Sequence, residues 1–229
     1  MNIAKCLLML AFLMPALGTN AQNSNGKNGA AAINEDSIPT FRGVAVGVDL
    51  VGAIQRAAST YGQYEAFAKL NIKDKYFPTV EIGLGEADSD DATTHNKFKT
   101  SAPYGRIGCD FNIMKNKHDI NRVYAGFRYG FTSFKYDVEN QEIIDPVWGD
   151  KDVRYIAEGV KANYHWLEAV IGLDAKIAGP LRLGWSVRYK RRLSHKDGEV
   201  GSPWYVPGYG RSGNTRLGAT FNVTFQLGK

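Results

Sequence analysis

From Phe41 to Leu227 the chain repeats one pattern: long runs in which apolar and polar side chains alternate, separated by stretches dense in Gly, Asn, Asp and Pro. Successive side chains of a strand point to opposite faces, so this period of two describes strands with one greasy and one polar face. The last run shows it most clearly. Leu217, Ala219, Phe221, Val223, Phe225 and Leu227 share one face, while Arg216, Gly218, Thr220, Asn222, Thr224 and Gln226 share the other. Ile107, Cys109, Phe111 and Ile113 divide in the same way from Arg106, Gly108, Asp110 and Asn112. The pattern predicts strands over residues 42–56, 61–73, 78–87, 102–114, 122–138, 164–178, 180–193 and 214–227. Most of these runs reach the roughly 9 to 11 tilted residues that a strand needs to cross a bilayer.

Alternation alone does not say which face is inside, since a water-soluble barrel would enclose the greasy one. Glycine discriminates. Gly47, Gly83, Gly85, Gly108, Gly126, Gly130, Gly172, Gly184 and Gly218 all fall on the polar face. A narrow interior crowded with long charged side chains needs small neighbours, whereas a solvated face gains nothing from glycine, which weakens a strand. The expected architecture is therefore all-β: a single antiparallel, up-and-down transmembrane β-barrel of about eight strands, greasy face outward. Connection lengths agree. The connections at 57–60, 88–101, 139–163 and 194–213 fall on one side and are mostly long, while those at 74–77, 115–121 and 179–180 fall on the other and are short, as periplasmic turns should be. Tyr64, Phe131 and Tyr189 near the upper ends, with Phe111 and Phe225 near the lower ends, suit interfacial girdles.

Lys5, the apolar run at 6–17 and the small residues that follow read as a cleaved signal peptide over 1–21. A polar leader, 22–40, would then precede the barrel, 41–229, and the location would be the cell outer membrane. Of the two cysteines, Cys6 lies in the signal and Cys109 is left alone, so strand pairing rather than a disulfide must hold the fold. Acidic and basic residues are interspersed throughout, so the net charge of +5 reads as a mixed surface plus a charged interior, with no nucleic-acid partner.

The segment Arg216–Leu217–Gly218–Ala219–Thr220–Phe221–Asn222–Val223–Thr224–Phe225 resembles the terminal signal of outer-membrane barrels, with a polar residue, a glycine two later and alternating hydrophobics. The region after Phe41 resembles small barrels of the outer-membrane protein X and OmpA-transmembrane type. Stretches such as KDKYFP from Lys73, MKNKHD from Met114, NYHWLE from Asn163 and WYVPGYG from Trp204 resemble a family of Gram-negative outer-membrane barrels known only as a domain of unknown function. The resemblance implies a barrel in contact with outer-membrane lipid and with the barrel-assembly machinery. It implies no activity.

The inward set comprises Asp49, Glu65, Lys69, Glu81, Arg106, Asp110, Arg128, Glu168, Asp174, Lys176, Arg182, Arg188 and Lys190. In so narrow a barrel it should form a packed ionic network; a narrow selective pore is the functional alternative. A second alternative is a lipid-A-modifying enzyme, with Ser133 or Ser194, His165 or His195, and Asp150 or Asp152 as the orienting group. Of the four histidines, His118 falls in a short turn, while His95, His165 and His195 lie on separate segments at the other end, without metal-ligand spacing. Neither a metal nor another cofactor is expected. Gly208, Gly210 and Gly213 match G-x-G-x-x-G by spacing only, because a strand follows them where a nucleotide site needs a helix. Cys109 alternates with Ile107 and Phe111, as a buried or lipid-facing thiol would. Trp148, Tyr155, Trp204, Tyr205 and Tyr209 lie in the long connections, where aromatics either anchor a surface ligand or protein partner or pack together to cap the barrel. No catalytic set stands out. The favoured expectation is a non-enzymatic barrel with a structural or surface-binding role.

Overall fold

A computed structural model describes residues 39–91, 96–144 and 152–228. The segments expected to be signal and leader lie almost wholly outside these residues. The alternating runs form β1 (Phe41–Asp49), β2 (Tyr61–Ile72), β3 (Tyr76–Asp91), β4 (Asn96–Asn112), β5 (Arg122–Ile144), β6 (Asp152–Ala178), β7 (Leu181–Lys196) and β10 (Thr215–Leu227). Each pairs antiparallel with its neighbour in the chain, and β10 pairs with β1, closing an eight-stranded barrel. Two short strands, β8 (Tyr205–Val206) and β9 (Gly210–Arg211), form a separate ribbon in the last long connection.

The faces divide as the alternation requires. Ile107, Phe127, Ile171, Val187 and Phe225 point outward and are 56, 53, 64, 46 and 49% exposed, whereas Arg106, Arg128 and Glu168 point inward at 1% each. Leaving a continuous belt of Ile, Val, Leu and Phe open while hiding guanidinium groups inverts the arrangement that water imposes. Hydrocarbon outside the cylinder is the medium in which the arrangement is favourable, and closure leaves no strand edge unpaired within it. The architecture is thus that of an outer-membrane β-barrel.

Two expectations are corrected. The first strand does not run through 42–56: it stops at Asp49, and α1 (Leu50–Ala58) follows. The Asp49 carboxylate accepts from the N–H groups of Val51 and Gly52, each at 3.1 Å, capping the helix. Leu, Ala, Ile, Gln and Arg are all good or tolerable helix formers, so local propensity favours the switch. Because Asp49 sits at the level of Glu65 and Asn222, half way along β2 and β10, the upper half of this wall is helix, not strand. The helix packs on both neighbours. Glycines permit the approach: a Cβ on Gly52 would stand 2.5 Å from the Gln63 carbonyl oxygen, and one on Gly62 would stand 2.4 Å from the Arg56 nitrogen.

The second correction concerns the outer connections at 88–101 and 139–163, which are largely strand. The β3–β4 ladder continues to Asp91 and Asn96, held by pairs such as Asp88↔Lys99 and Asp90↔Lys97. The β5–β6 ladder continues to Ile144 and Asp152. Polar residues on both faces concealed these extensions, since they lack the apolar alternation that marks the barrel wall. Beyond Phe131, the β5–β6 ribbon projects by roughly 30 Å, taking ~3.3 Å per residue and a tilt of ~40°.

Asp49 also accepts from the Phe221 N–H at 3.0 Å, the first β10 group above the last β1 pair. Asp49→Ala leaves three N–H groups without this acceptor and should lower stability by about 2 kcal/mol, with Asp49→Asn intermediate. Urea midpoints of the detergent-folded barrel, followed by heat-modifiable gel migration, will measure this. An unchanged midpoint in the alanine variant would remove Asp49 from its place as the hinge of the wall.

Candidate functional site: the closed interior

The barrel interior is built in three tiers. At mid-height Glu81 on β3 receives three arginines. Arg106 Nη1 lies 3.1 Å from Oε2, Arg128 Nε 3.0 Å from Oε1, and Arg188 Nη1 2.6 Å from Oε2. Arg106 also pairs with Glu65 and lies 2.9 Å, through Nε, from Glu168 Oε1, close enough for ion pairing though not aligned for a hydrogen bond. Arg128 engages Asp110 at 2.7 Å, and Lys69 reaches the same carboxylate at 3.0 Å. Period-two alternation explains the convergence, because Glu81↔Arg106 and Arg128↔Glu168 are direct cross-strand partners with inward side chains. Tyr104 donates its hydroxyl to Glu65 at 2.6 Å and the Trp166 indole N–H donates to Glu168 at 2.7 Å. Sequence reasoning passed over this pair, although each stands two residues before a charged member of the network and so on the same face.

The upper tier is a plug. The connection after β7 turns back into the cylinder and places Tyr205, Val206 and Tyr209 at 2, 0 and 1% exposure among Tyr104, Phe134, Tyr164 and Trp166. Of the two expectations for these aromatics, the packed cap is the one observed for Tyr205 and Tyr209, which have almost no solvent-facing surface with which to anchor a ligand. Trp204 is partly buried, edge-on to Tyr61 with ring centroids 5.6 Å apart. Tyr155, on β6, remains 41% exposed, and Trp148 lies outside the described residues. The plug is joined to the ionic tier through backbone carbonyls: Gly208 O accepts from Arg106 Nη2 at 2.6 Å and from Lys190 Nζ at 2.7 Å, and Tyr209 O accepts from Lys190 Nζ at 3.3 Å. Gly208 has φ +77°, and a Cβ there would stand 2.5 Å from the Tyr104 ring, so only glycine fits. The G-x-G-x-x-G spacing thus belongs to this turn.

The lower tier is looser. Arg182 Nε donates to Asp174 at 2.8 Å, with Arg122 3.9 Å from the same carboxylate. A cavity of about 20 Å³ between Lys69, Asp110, Arg122, Asp174 and Asn222 has room for about one water. Asp49 departs from the expected network, because it caps α1 rather than meeting a cation. Lys176 is exposed at the lower rim. In the adjoining turns, Asp74 accepts from Asn71 at 2.7 Å, lies 2.8 Å from His118 Nδ1 and pairs with Arg42. Burial alone would raise its pKa, but the hydrogen bonds with His118 and Asn71 and the charge of Arg42 outweigh it and hold the carboxyl below its ordinary range.

The residues considered for acyl chemistry do not assemble. His165 faces outward, its Nδ1 2.8 Å from the Tyr129 hydroxyl, and Ser194 is its exposed cross-strand neighbour. His195 lies 3.5 Å from Asp197, to which Ser202 donates directly at 2.6 Å. Among the described residues no hydrogen bond joins Ser133 or Ser194 to either histidine. His95, Asp150 and the side chain of Asp152 lie outside the described residues.

Removing one member of the mid-height tier strands its partners in a dry interior. Glu81→Gln should destabilise the barrel by about 3–5 kcal/mol, whereas Glu86→Gln, which breaks the half-exposed pair with Arg56 at 3.1 Å, should cost under about 1 kcal/mol. Urea titration of the two variants side by side makes the comparison; equal shifts would deny the central tier its special weight. Asp74 gives a pH signature. Its folded pKa is depressed, so the unfolded chain binds the extra proton, and the stability it contributes is complete above about pH 4 and lost as pH falls further. Asp74→Asn should therefore flatten the acid limb of the stability profile, and a limb as steep as that of the wild type would contradict the pairing.

Comparison with known proteins adds a family. No curated protein matches the chain. Among solved structures it is similar to Neisserial surface protein A (NspA), with a TM-score of 0.41 and 13% identity over 82% of this chain and 98% of that one. It is also similar to a major outer membrane protein from Thermus thermophilus, with a TM-score of 0.41 and 12% identity over 82% and 98% of the two chains. The family model described as "Domain of unknown function (DUF6048)" matches residues 1–227, and the chain belongs to that family.

Proposed function

We propose that this protein is exported and resides in the outer membrane as a closed, non-enzymatic barrel, with a structural or surface-binding role exerted through its outer segments. The observation that carries this reading is the bond of Arg106 and Lys190 to the Gly208 carbonyl, which ties the aromatic plug to the ionic tier beneath it. The stack of plug, salt-bridged layer and one-water cavity supports a closed interior over a pore. Ser194 and His165, the one Ser and His pair that faces each other among the described candidates, point outward with no hydrogen bond between them, which speaks against acyl transfer. What remains for interaction is outside: the projecting β5–β6 ribbon, with Tyr155 exposed on it, and the outward face of the wall.

Fractionation and electrophysiology test this together. The folded chain should appear in the outer-membrane fraction, migrate heat-modifiably, and give no single-channel steps in planar bilayers. Stepwise conductance would replace the closed barrel with a pore, and recovery as a water-soluble monomer without detergent would overturn the location.

A further inference from the structure

Charges on the outward wall just above the apolar belt are distributed unevenly. On the β3–β4 side, acids and bases face each other: Asp88 is opposite Lys99, and Asp90 is opposite Lys97, with Lys97 Nζ 3.6 Å from the Asp90 carboxylate. On the β5–β7 side they do not. Lys135 is the direct cross-strand partner of Lys161, both pointing outward and exposed. Lys196 continues the basic surface on β7, opposite Asn163 and two residues along the ladder from Lys161, and is likewise exposed, while Arg191 lies lower, opposite Leu167. Like charges directly opposite on a ladder destabilise it, and among the described residues neither lysine of the pair has an acidic partner. Of the nearest acids, Asp137 accepts from the Gly159 N–H at 2.7 Å and stands opposite Lys99, and Glu158 lies in the β6 bulge above. Among the described residues neither acid forms an ion pair with Lys135 or Lys161.

Height identifies what would meet this surface. Phe127 lies near the middle of the outward apolar run of β5, which ends at Phe131. Lys135 stands farther up the same strand, roughly 20 Å above the level of Phe127 at ~3.3 Å per residue and ~40° tilt, while half the hydrocarbon core is ~15 Å. The basic surface therefore falls at the headgroup layer, directly over the greasy wall of Leu167, Ile171 and Val187.

We propose that the outward face of β5, β6 and β7 binds the phosphate of an outer-leaflet lipid, with Lys135, Lys161 and Lys196 around the phosphate and the acyl chains along Leu167 and Ile171. An anion between Lys135 and Lys161 converts their repulsion into two attractions, and tails held on the adjoining apolar strip keep it there. The inference rests on the outer-membrane placement proposed above.

Native mass spectrometry of the full detergent-folded chain, with diphosphoryl lipid A as probe and a phosphate-free lipid with the same tails as reference, tests it. The wild type should retain the phosphorylated probe about tenfold better. Lys135→Gln/Lys161→Gln should bring the two lipids close to parity, Lys135→Arg/Lys161→Arg should keep the preference, and Lys97→Gln/Lys99→Gln on the compensated side should leave it unchanged. No preference in the wild type, an unaltered preference in the glutamine pair, or an equal loss in the Lys97/Lys99 control would each overturn the site. Displacement of the lipid by millimolar inorganic phosphate would do the same, since the surface would then take free anions. If the glutamine pair fails to fold, the wild-type preference and the phosphate competition still decide. A chain that stays soluble without detergent would sink the membrane reading before any lipid is added; a detergent-bound barrel with no preference sinks only the lipid site.

Discussion

Three guanidinium groups share the Glu81 carboxylate, and the rest of the interior follows from the need to compensate them. An eight-stranded cylinder is just wide enough to be filled by its own side chains, so inward charges cannot keep a hydration shell. They must meet one another. Around Glu81 the carboxylates of Glu65, Asp110 and Glu168 face the cations of Arg106, Arg128, Arg188, Lys190 and Lys69, which leaves the tier one positive charge in excess. Lys190 is the member with the weakest acid contact, 3.8 Å from Glu168, and it is also the one that reaches the Gly208 and Tyr209 carbonyls. The plug is seated where the ionic tier runs short of acceptors. Electrostatic compensation at mid-height thereby decides the path of a connection that enters from the outer end.

The wall shows the same economy at Asp49. Where β1 stops, the neighbouring strands would present bare N–H and C=O groups, which hydrocarbon penalises heavily. One carboxylate caps the helix that replaces the strand and takes the first orphaned N–H of β10. The helix then covers the gap, with Gly52 and Gly62 letting it lie closer to β2 than any side chain would allow. Asp49 thus serves the wall, although its alternation places it among the interior charges.

The barrel was legible in the sequence because two independent signals agreed: alternation located the strands, and glycine on the polar face marked that face as the crowded inside. Gly130 illustrates the second signal, since a Cβ there would fall 2.2 Å from the Trp166 ring. Inward positions of Glu81, Arg106, Arg128, Glu168 and Arg188 follow from counting by twos, but their partners do not, because register depends on which residues face each other across strands. The helix and the plug were illegible for a different reason. Residues 50–58 are too few to display a helical period against the strand pattern that precedes them, and WYVPGYG has no period at all. Its density of aromatics was the available hint, because a solvated loop has little reason to carry so many large apolar rings.

Inside and outside use the same residue types to opposite ends. Within the cylinder each arginine is held by carboxylates on other strands, so it is fixed in place, unavailable to ligands and sensitive to the loss of any partner. On the outer wall above the belt, Lys135 and Lys161 are opposed to each other, exposed, and among the described residues without an acid placed to neutralise them. A fold that satisfies every mid-height cation with acids or carbonyls does not leave an outward pair unsatisfied for want of acids, since Asp88 and Asp90 stand opposite Lys99 and Lys97 on the next face of the same barrel, Asp90 and Lys97 being ion-paired. Uncompensated charge tolerated on this face, at the depth where phosphates lie, is a surface shaped by what surrounds the protein rather than by what the protein contains.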